Sequence, residues 1–401
     1  MRGVAPGLVP GRWEHEVLTE QSSVRLATAS VSNTPVRWTA EHVRAIRLEA
    51  SSTTPLIAEE DFARLGDDID IWDAWPVQDE DGHPAAIADG ITLWMALGSR
   101  RFSDPDARHD HARIHLLERS GAQWRHLGPV MPDGFSPGSR EWSGSAVLGG
   151  DGMSLTLYFT ATGTRGEATP TFGQRLFLAR ATLAKEPSGR AFFDWNDLTE
   201  IVRRDPAHYM ATEDGIGAPG TIKAFRDPAF FRDHRDGQRY VFFAASQAHS
   251  ASAFNGVVGW AVERAPGQWG ILPPLVTADG LNNELERPHV VFHRDAYYLF
   301  WSTQRHVFDP TGPAGPTGLY GMVSDRLDSG WRPLNGTGLV FGNPPEAPTQ
   351  AYSWLVLTDL SVTSFVDDWG PVGDGRSRRF GAAFAPDLHL ELDGATARLA
   401  C

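Results

Sequence analysis

The sequence predicts an all-β chain folded as a β-propeller, and three observations carry the prediction. Four apolar runs rich in aromatic and β-branched residues recur along the chain, each behind a turn signal that is Asp-Gly in three cases. Asp-Gly before such a run is a strong hairpin signal. A second echo, a tryptophan followed three residues on by leucine, falls in the gaps between those runs or beyond the last, where an outer strand belongs. Helix signals are sparse.

Taken in order, residues 39–45 (TAEHVRA) read as a short helix with Thr39 as N-cap, ending an N-terminal arm of residues 1–45. The apolar runs then start at Ile91, Leu155, Arg239 and Ala296, so the spacings are 64, 84 and 57 residues. That is too irregular for a solenoid and suits propeller blades with variable loops. The outer-strand echoes begin at Gln123-Trp124, Gln268-Trp269 and Gly330-Trp331. A fifth set, residues 378–384 and 388–392, closes the ring and makes a five-bladed β-propeller. The competing fold is a β-sandwich whose echoes are coincidental. No Pro/Ser-rich linker of domain-separating length interrupts residues 46–401, which therefore read as one domain.

Composition narrows the function. The chain has 401 residues, 41% hydrophobic and 21% charged, which supports a packed core and argues against disorder. A net charge of −14 disfavours nucleic acid or an anionic membrane as partner and is compatible with a neutral substrate. Only two of the 36 basic residues are lysine, Lys185 and Lys223, which reads as composition bias. The single cysteine, Cys401, excludes an intrachain disulfide framework and a cysteine-based zinc cluster. No apolar run approaches the ~20 residues of a membrane span, and residues 1–12 lack the apolar core of a signal peptide. A mature form, another export route and a cytoplasmic location all fit that observation. No pattern bears on oligomeric state.

Three acidic motifs carry the chemistry. In Trp72-Asp73-Ala74-Trp75-Pro76 a carboxylate stands between two indoles in a strand-like stretch, where burial costs several kcal/mol without partners. Indole faces stack on sugar rings while an acid acts at the ring. By itself the fragment also suits a structural Trp-Asp pair. In Phe225-Arg226-Asp227-Pro228 an adjacent arginine keeps a half-buried acid ionised, and a structural ion pair is the competing reading. In Asn283-Glu284-Leu285-Glu286-Arg287 the two glutamates share one face of an extended chain, so one carboxyl pKa is raised, as a general acid requires. A solvated acidic edge is the alternative there. Inner strands of different blades bring these acids to one central channel despite separations of 154 and 59 residues. Two carboxylates across a glycosidic bond suffice for hydrolysis.

These motifs, with Glu141-Trp142-Ser143-Gly144-Ser145-Ala146, resemble glycoside hydrolase family 68, the levansucrases, inulosucrases and bacterial β-fructofuranosidases. The likeness runs from Arg37-Trp38-Thr39 to the region of Gln350-Ala351-Tyr352 and beyond, and is greatest to Gram-negative and actinobacterial members. It implies a five-bladed propeller with a funnel-shaped active site and a retaining reaction on sucrose, with water or a sugar as acceptor. By motif, Asp73 is the implied nucleophile, Glu286 the acid/base and Asp227 the transition-state stabiliser. Trp72, Trp142 and Ser143 shape the fructosyl subsite, and Arg226, Glu284 and Tyr352 hold the glucosyl side. Arg305 or His306 fills the basic position that influences acceptor binding. The resemblance also implies secretion and no cofactor. Many Gram-positive members have an aspartate before Glu-x-Glu-Arg that helps bind a structural calcium; here it is Asn283, a weaker ligand, so no metal is expected.

Two other signals are set aside. His109, His111 and His115 would share a strand face, but their Arg- and Asp-rich context reads as a polar loop or edge strand rather than a metal site. Asn335-Gly336-Thr337 matches a glycosylation sequon at a turn. Two rival functions stay open at this point: an inverting five-bladed enzyme on arabinose or xylose polymers, and a non-catalytic carbohydrate-binding propeller.

Overall fold

In the computed structural model, residues 34–88, 90–186, 189–213, 222–370 and 378–400 are described. The chain divides at Val31, and residues 32–401 form one compact unit. Residues 1–33, which include most of the expected arm, lie outside the described residues.

The secondary structure is mostly strand, arranged in sheets of five, nine, five and four strands. The nine-stranded sheet consists of two antiparallel meanders joined by a short parallel pairing of Val77 with Ala146 and Gln78 with Val147. The four apolar runs are the second strands of their meanders: Ile91–Arg100, Ser154–Thr162, Arg239–Ser246 and Ala296–Thr303. The tryptophan echoes fall on outer strands Gln123–Pro129 and Gln268–Thr277, and immediately before Arg332–Pro333. Second strands are buried on both faces, which explains their unbroken apolar character: Leu93, Met95, Phe159, Val241, Phe243, Leu299, Phe300 and Trp301 are all inaccessible.

The last meander differs from the expected fifth set. It comprises Ala351–Val356, Ser361–Val366, Leu388–Asp393 and Thr396–Leu399. Residues 378–384 are not a strand; they lie along the end of Ser361–Val366 through isolated bridges of Phe380 to Asp368 and Phe384 to Phe365 and through backbone bonds such as Val366 N–H to Ala383 O at 2.9 Å. The hairpin between Val356 and Ser361 is four residues long and carries no Asp-Gly, so it gave no turn signal.

The short helix is Ala40–Arg44 with Thr39 as N-cap; His42 Nδ1 accepts from the Thr39 N–H at 3.1 Å. Val36–Arg37 just before it pairs in parallel with Gln268–Thr277. Trp38 is buried against Trp301, Phe308 and Tyr320, and its Nε1 donates to Thr337 O at 2.9 Å. Residues 36–44 are therefore fastened to the sheets.

Candidate active site

The first strands of the meanders are Ile69–Gln78, Arg140–Leu148, Phe225–Arg232, Glu286–His293 and Ala351–Val356. Each slips register with its second strand at one point: between Trp72 and Trp75, Trp142 and Gly144, Arg226 and Ala229, Glu286 and His289, and Tyr352 and Leu355. At four of these bulges a non-glycine residue takes positive φ: Asp73 at 47°, Asp227 at 63°, Arg287 at 48° and Ser353 at 63°. Such backbone costs about 1–3 kcal/mol per residue and turns the side chain out of the strand's alternation. Each bulge consequently presents a pair of neighbouring residues to one cavity of about 530 Å³: Trp72-Asp73, Trp142-Ser143, Arg226-Asp227, Glu286-Arg287 and Tyr352-Ser353. The glycine of Trp-Ser-Gly-Ser has a steric reason: a Cβ on Gly144 would lie 1.9 Å from Tyr158 O.

Two buried arginines organise the acids. Arg226 Nη2 meets Glu286 Oε1 in a short contact and lies 3.7 Å from Glu284 Oε1, while its Nε is 3.6 Å from Asp227 Oδ2. Arg226 Nη1 is buried with no partner among the described residues, leaving a donor for a ligand. Arg287 donates to Ser353 O and Oγ at 3.1 and 2.9 Å and to Ala74 O at 2.7 Å, and its N–H lies 3.4 Å from Asp227 Oδ2. Ser143 Oγ donates to Asp73 Oδ2 at 3.2 Å, and Tyr352 OH donates to Glu286 Oε2 in a short contact.

Burial sets the protonation of these groups. It raises the Asp73 carboxyl, opposed by the Arg287 charge and by hydrogen bonds from Ser353 and Ser143. Asp227 is pushed up to about 7, first by burial and then by its acidic neighbours Glu286 and Asp73, against Arg226. Glu284 is likewise pushed up to about 7 by burial and by Glu286. Arg226 is held firmly charged by the three carboxylates around it.

Ten of the eleven sequence-derived site residues line this cavity: Trp72, Asp73, Trp142, Ser143, Arg226, Asp227, Glu284, Glu286, His306 and Tyr352. Arg305 does not. It begins the one-turn helix Arg305–Val307 and directs its guanidinium to Ala314 O, while the next residue, His306, faces the cavity. Several lining residues were not assigned to the site. Arg287 and Ser353 reach the cavity through bulges that leave no mark in a period-two pattern. His109 belongs to the 3-10 helix Pro105–His111 rather than to a strand; its ring packs edge-on to Trp72 at 6.0 Å and is kept neutral by burial. The three histidines do not share a face: His111 stacks on Phe102, and His115 pairs with His126. Asp367 and Arg378 close another side of the cavity, bonded at 2.5 Å.

The surroundings of Asn283 do not fit a calcium ion. Asn283 Oδ1, the oxygen that would face a metal, accepts from the Lys223 ammonium at 2.9 Å. A cation already occupies that position as part of the chain.

Comparison with known proteins agrees with this geometry. A family model described as Levansucrase/Invertase matches residues 27–257 and 246–400. The levansucrase of Rahnella aquatilis is 32% identical over 407 aligned residues, covering 91% of this chain and 94% of that protein. The levansucrase of Zymomonas mobilis is 30% identical, covering 90% and 89%. Among solved structures, an inulosucrase from Halalkalicoccus jeotgali bound to kestose superposes with a TM-score of 0.83 at 34% identity, covering 91% of this chain and 95% of that one. The catalytic domain of a β-fructofuranosidase from Microbacterium saccharophilum gives 0.80 at 25% identity, covering 93% and 92%. The chain belongs to the levansucrase/invertase family, glycoside hydrolase family 68.

Proposed function

We propose that this chain is a retaining fructosyl-transfer enzyme acting on sucrose, built as a five-bladed β-propeller whose first strands surround the active site. The observation that carries the reading is the convergence of Asp73, Asp227 and Glu286, from three separate strands, on one cavity shared with Trp72 and Trp142. Its volume of about 530 Å³ is in the range of small-molecule sites.

In this reading an Asp73 carboxylate oxygen attacks the anomeric C2 of the fructosyl unit. The C2–O bond to glucose breaks as Glu286 passes a proton to the departing oxygen. Glu286 then takes a proton from water or a sugar hydroxyl, whose oxygen attacks C2 and frees Asp73. Asp227 faces the positive charge that develops on the ring, and the free Arg226 Nη1–H meets a sugar hydroxyl on the glucosyl side together with Glu284 and Tyr352. Ser143 and Ser353 orient Asp73. His306 stands at the acceptor position.

Export belongs to the proposal too, and is read by whether activity appears in culture medium or in cells. The test of function is free glucose and free fructose released from sucrose over time. Equal amounts mean a hydrolase, and glucose in excess means transfer, with the missing fructose in oligosaccharide or polymer. An absence of glucose would sink the proposal.

A further inference from the structure

Lys223 is one of only two lysines in a chain that otherwise uses arginine for its cations, and it is buried, with 6% of its surface exposed. Its ammonium donates to three oxygens: Ala253 O at 2.5 Å, Asn255 Oδ1 at 2.8 Å and Asn283 Oδ1 at 2.9 Å. Three protons thus meet three neutral acceptors, and no carboxylate pairs with the ammonium among the described residues. A planar guanidinium could not satisfy oxygens converging on one point, whereas a compact ammonium does. The exception to the arginine habit therefore has a geometric cause.

The oxygens come from two segments beyond the one that carries Lys223: the turn after Arg239–Ser246 and the residues just before Glu286–His293. With its oxygen turned to Lys223, the Asn283 amide nitrogen faces Ile222 O at 2.9 Å and Glu284 Oε1 at 3.4 Å. A flipped amide would set oxygen against both of those oxygens and N–H groups against the ammonium. The lysine fixes the amide, and the amide braces Glu284 against Arg226.

We propose that Lys223 is a positioning residue for the glucosyl side of the site, a cation built into the chain that holds Asn283 and through it Glu284. The inference rests on the reading of Glu284 as a sugar-holding group. It concerns substrate binding more than the bond-breaking step, because Asp73 and Asp227 make no contact with the Lys223 group.

The test compares wild type with Lys223→Met, which keeps the stem but loses the charge, and Lys223→Arg, which keeps the charge but not the three-way fit. Both variants should raise KM for sucrose about tenfold, with kcat per folded enzyme within about threefold of wild type. Asn283→Ala should reproduce that split, and serves in place of Lys223→Met if the latter does not fold. Calcium chloride and EDTA should both leave the wild-type Tm unchanged. Wild-type KM in Lys223→Met or Asn283→Ala, full rescue by arginine, or a calcium-dependent Tm that Lys223→Met alters would each overturn the inference. A wild-type enzyme inert on sucrose would instead refute the proposed function.

Discussion

Replacing Asp227 with asparagine should abolish most activity and at the same time stabilise the free enzyme, by an amount that grows with pH. The carboxyl is buried and its pKa is pushed up to about 7 from an ordinary 3.8. A carboxyl with a raised folded pKa takes up a proton on folding, so its contribution is fully present below the unfolded pKa, near 3.8. It is lost as pH rises and is gone above about 7. Between pH 5.5 and 8 the wild type therefore loses about 1.5 pK units' worth of stability at this group, or roughly 2 kcal/mol. Asparagine has no proton to exchange, so the Asp227→Asn advantage should widen by that amount over this range and level off above pH 7. Glu284 titrates in both proteins, but in the variant it no longer feels the upward push of the Asp227 charge, which widens the gap further. Urea unfolding at several pH values reads the gap, and kcat/KM on sucrose should fall at least about a hundredfold. A gap independent of pH, or a variant less stable than wild type at pH 8, would refute this account of the buried carboxyl.

Tyr352→Phe removes the hydroxyl that donates to Glu286 Oε2 and should lower kcat about ten- to a hundredfold with Tm nearly unchanged, measured by initial rates and thermal melts. His306→Ala should reduce the share of fructose transferred to sugar while sucrose is still hydrolysed, whereas Arg305→Ala, directed at Ala314 O, should match wild type in product profile and stability. Gly144→Ala forces a Cβ to within 1.9 Å of Tyr158 O and should destabilise by about 3 kcal/mol or more, seen as a lower urea midpoint.

The second strands were legible because burial on both faces writes an unbroken apolar run into the sequence, as in residues 240–245. The acids were legible for the opposite reason: Asp73 and Asp227 are charges in apolar surroundings. What the sequence hid is the backbone. A bulge at positive φ brings Arg287 and Ser353 to the cavity without altering any periodicity. His109 reads as part of a polar loop or edge strand because a 3-10 turn beginning at Pro105 needs no hydrophobic pattern. The choice between Arg305 and His306 depends on a single helical turn whose phase no residue type dictates. Lys223 was legible only as an oddity of composition, since the oxygens it meets lie up to 60 residues away.

The central claim is that Asp73 and Glu286 act in two displacements at the fructosyl C2. Its most direct test is the configuration of the product formed when methanol competes with water as acceptor on sucrose, read by NMR of the stable methyl fructofuranoside. Two displacements give the β-anomer, the configuration that fructose has in sucrose. The α-anomer would mean a single displacement and would contradict the account.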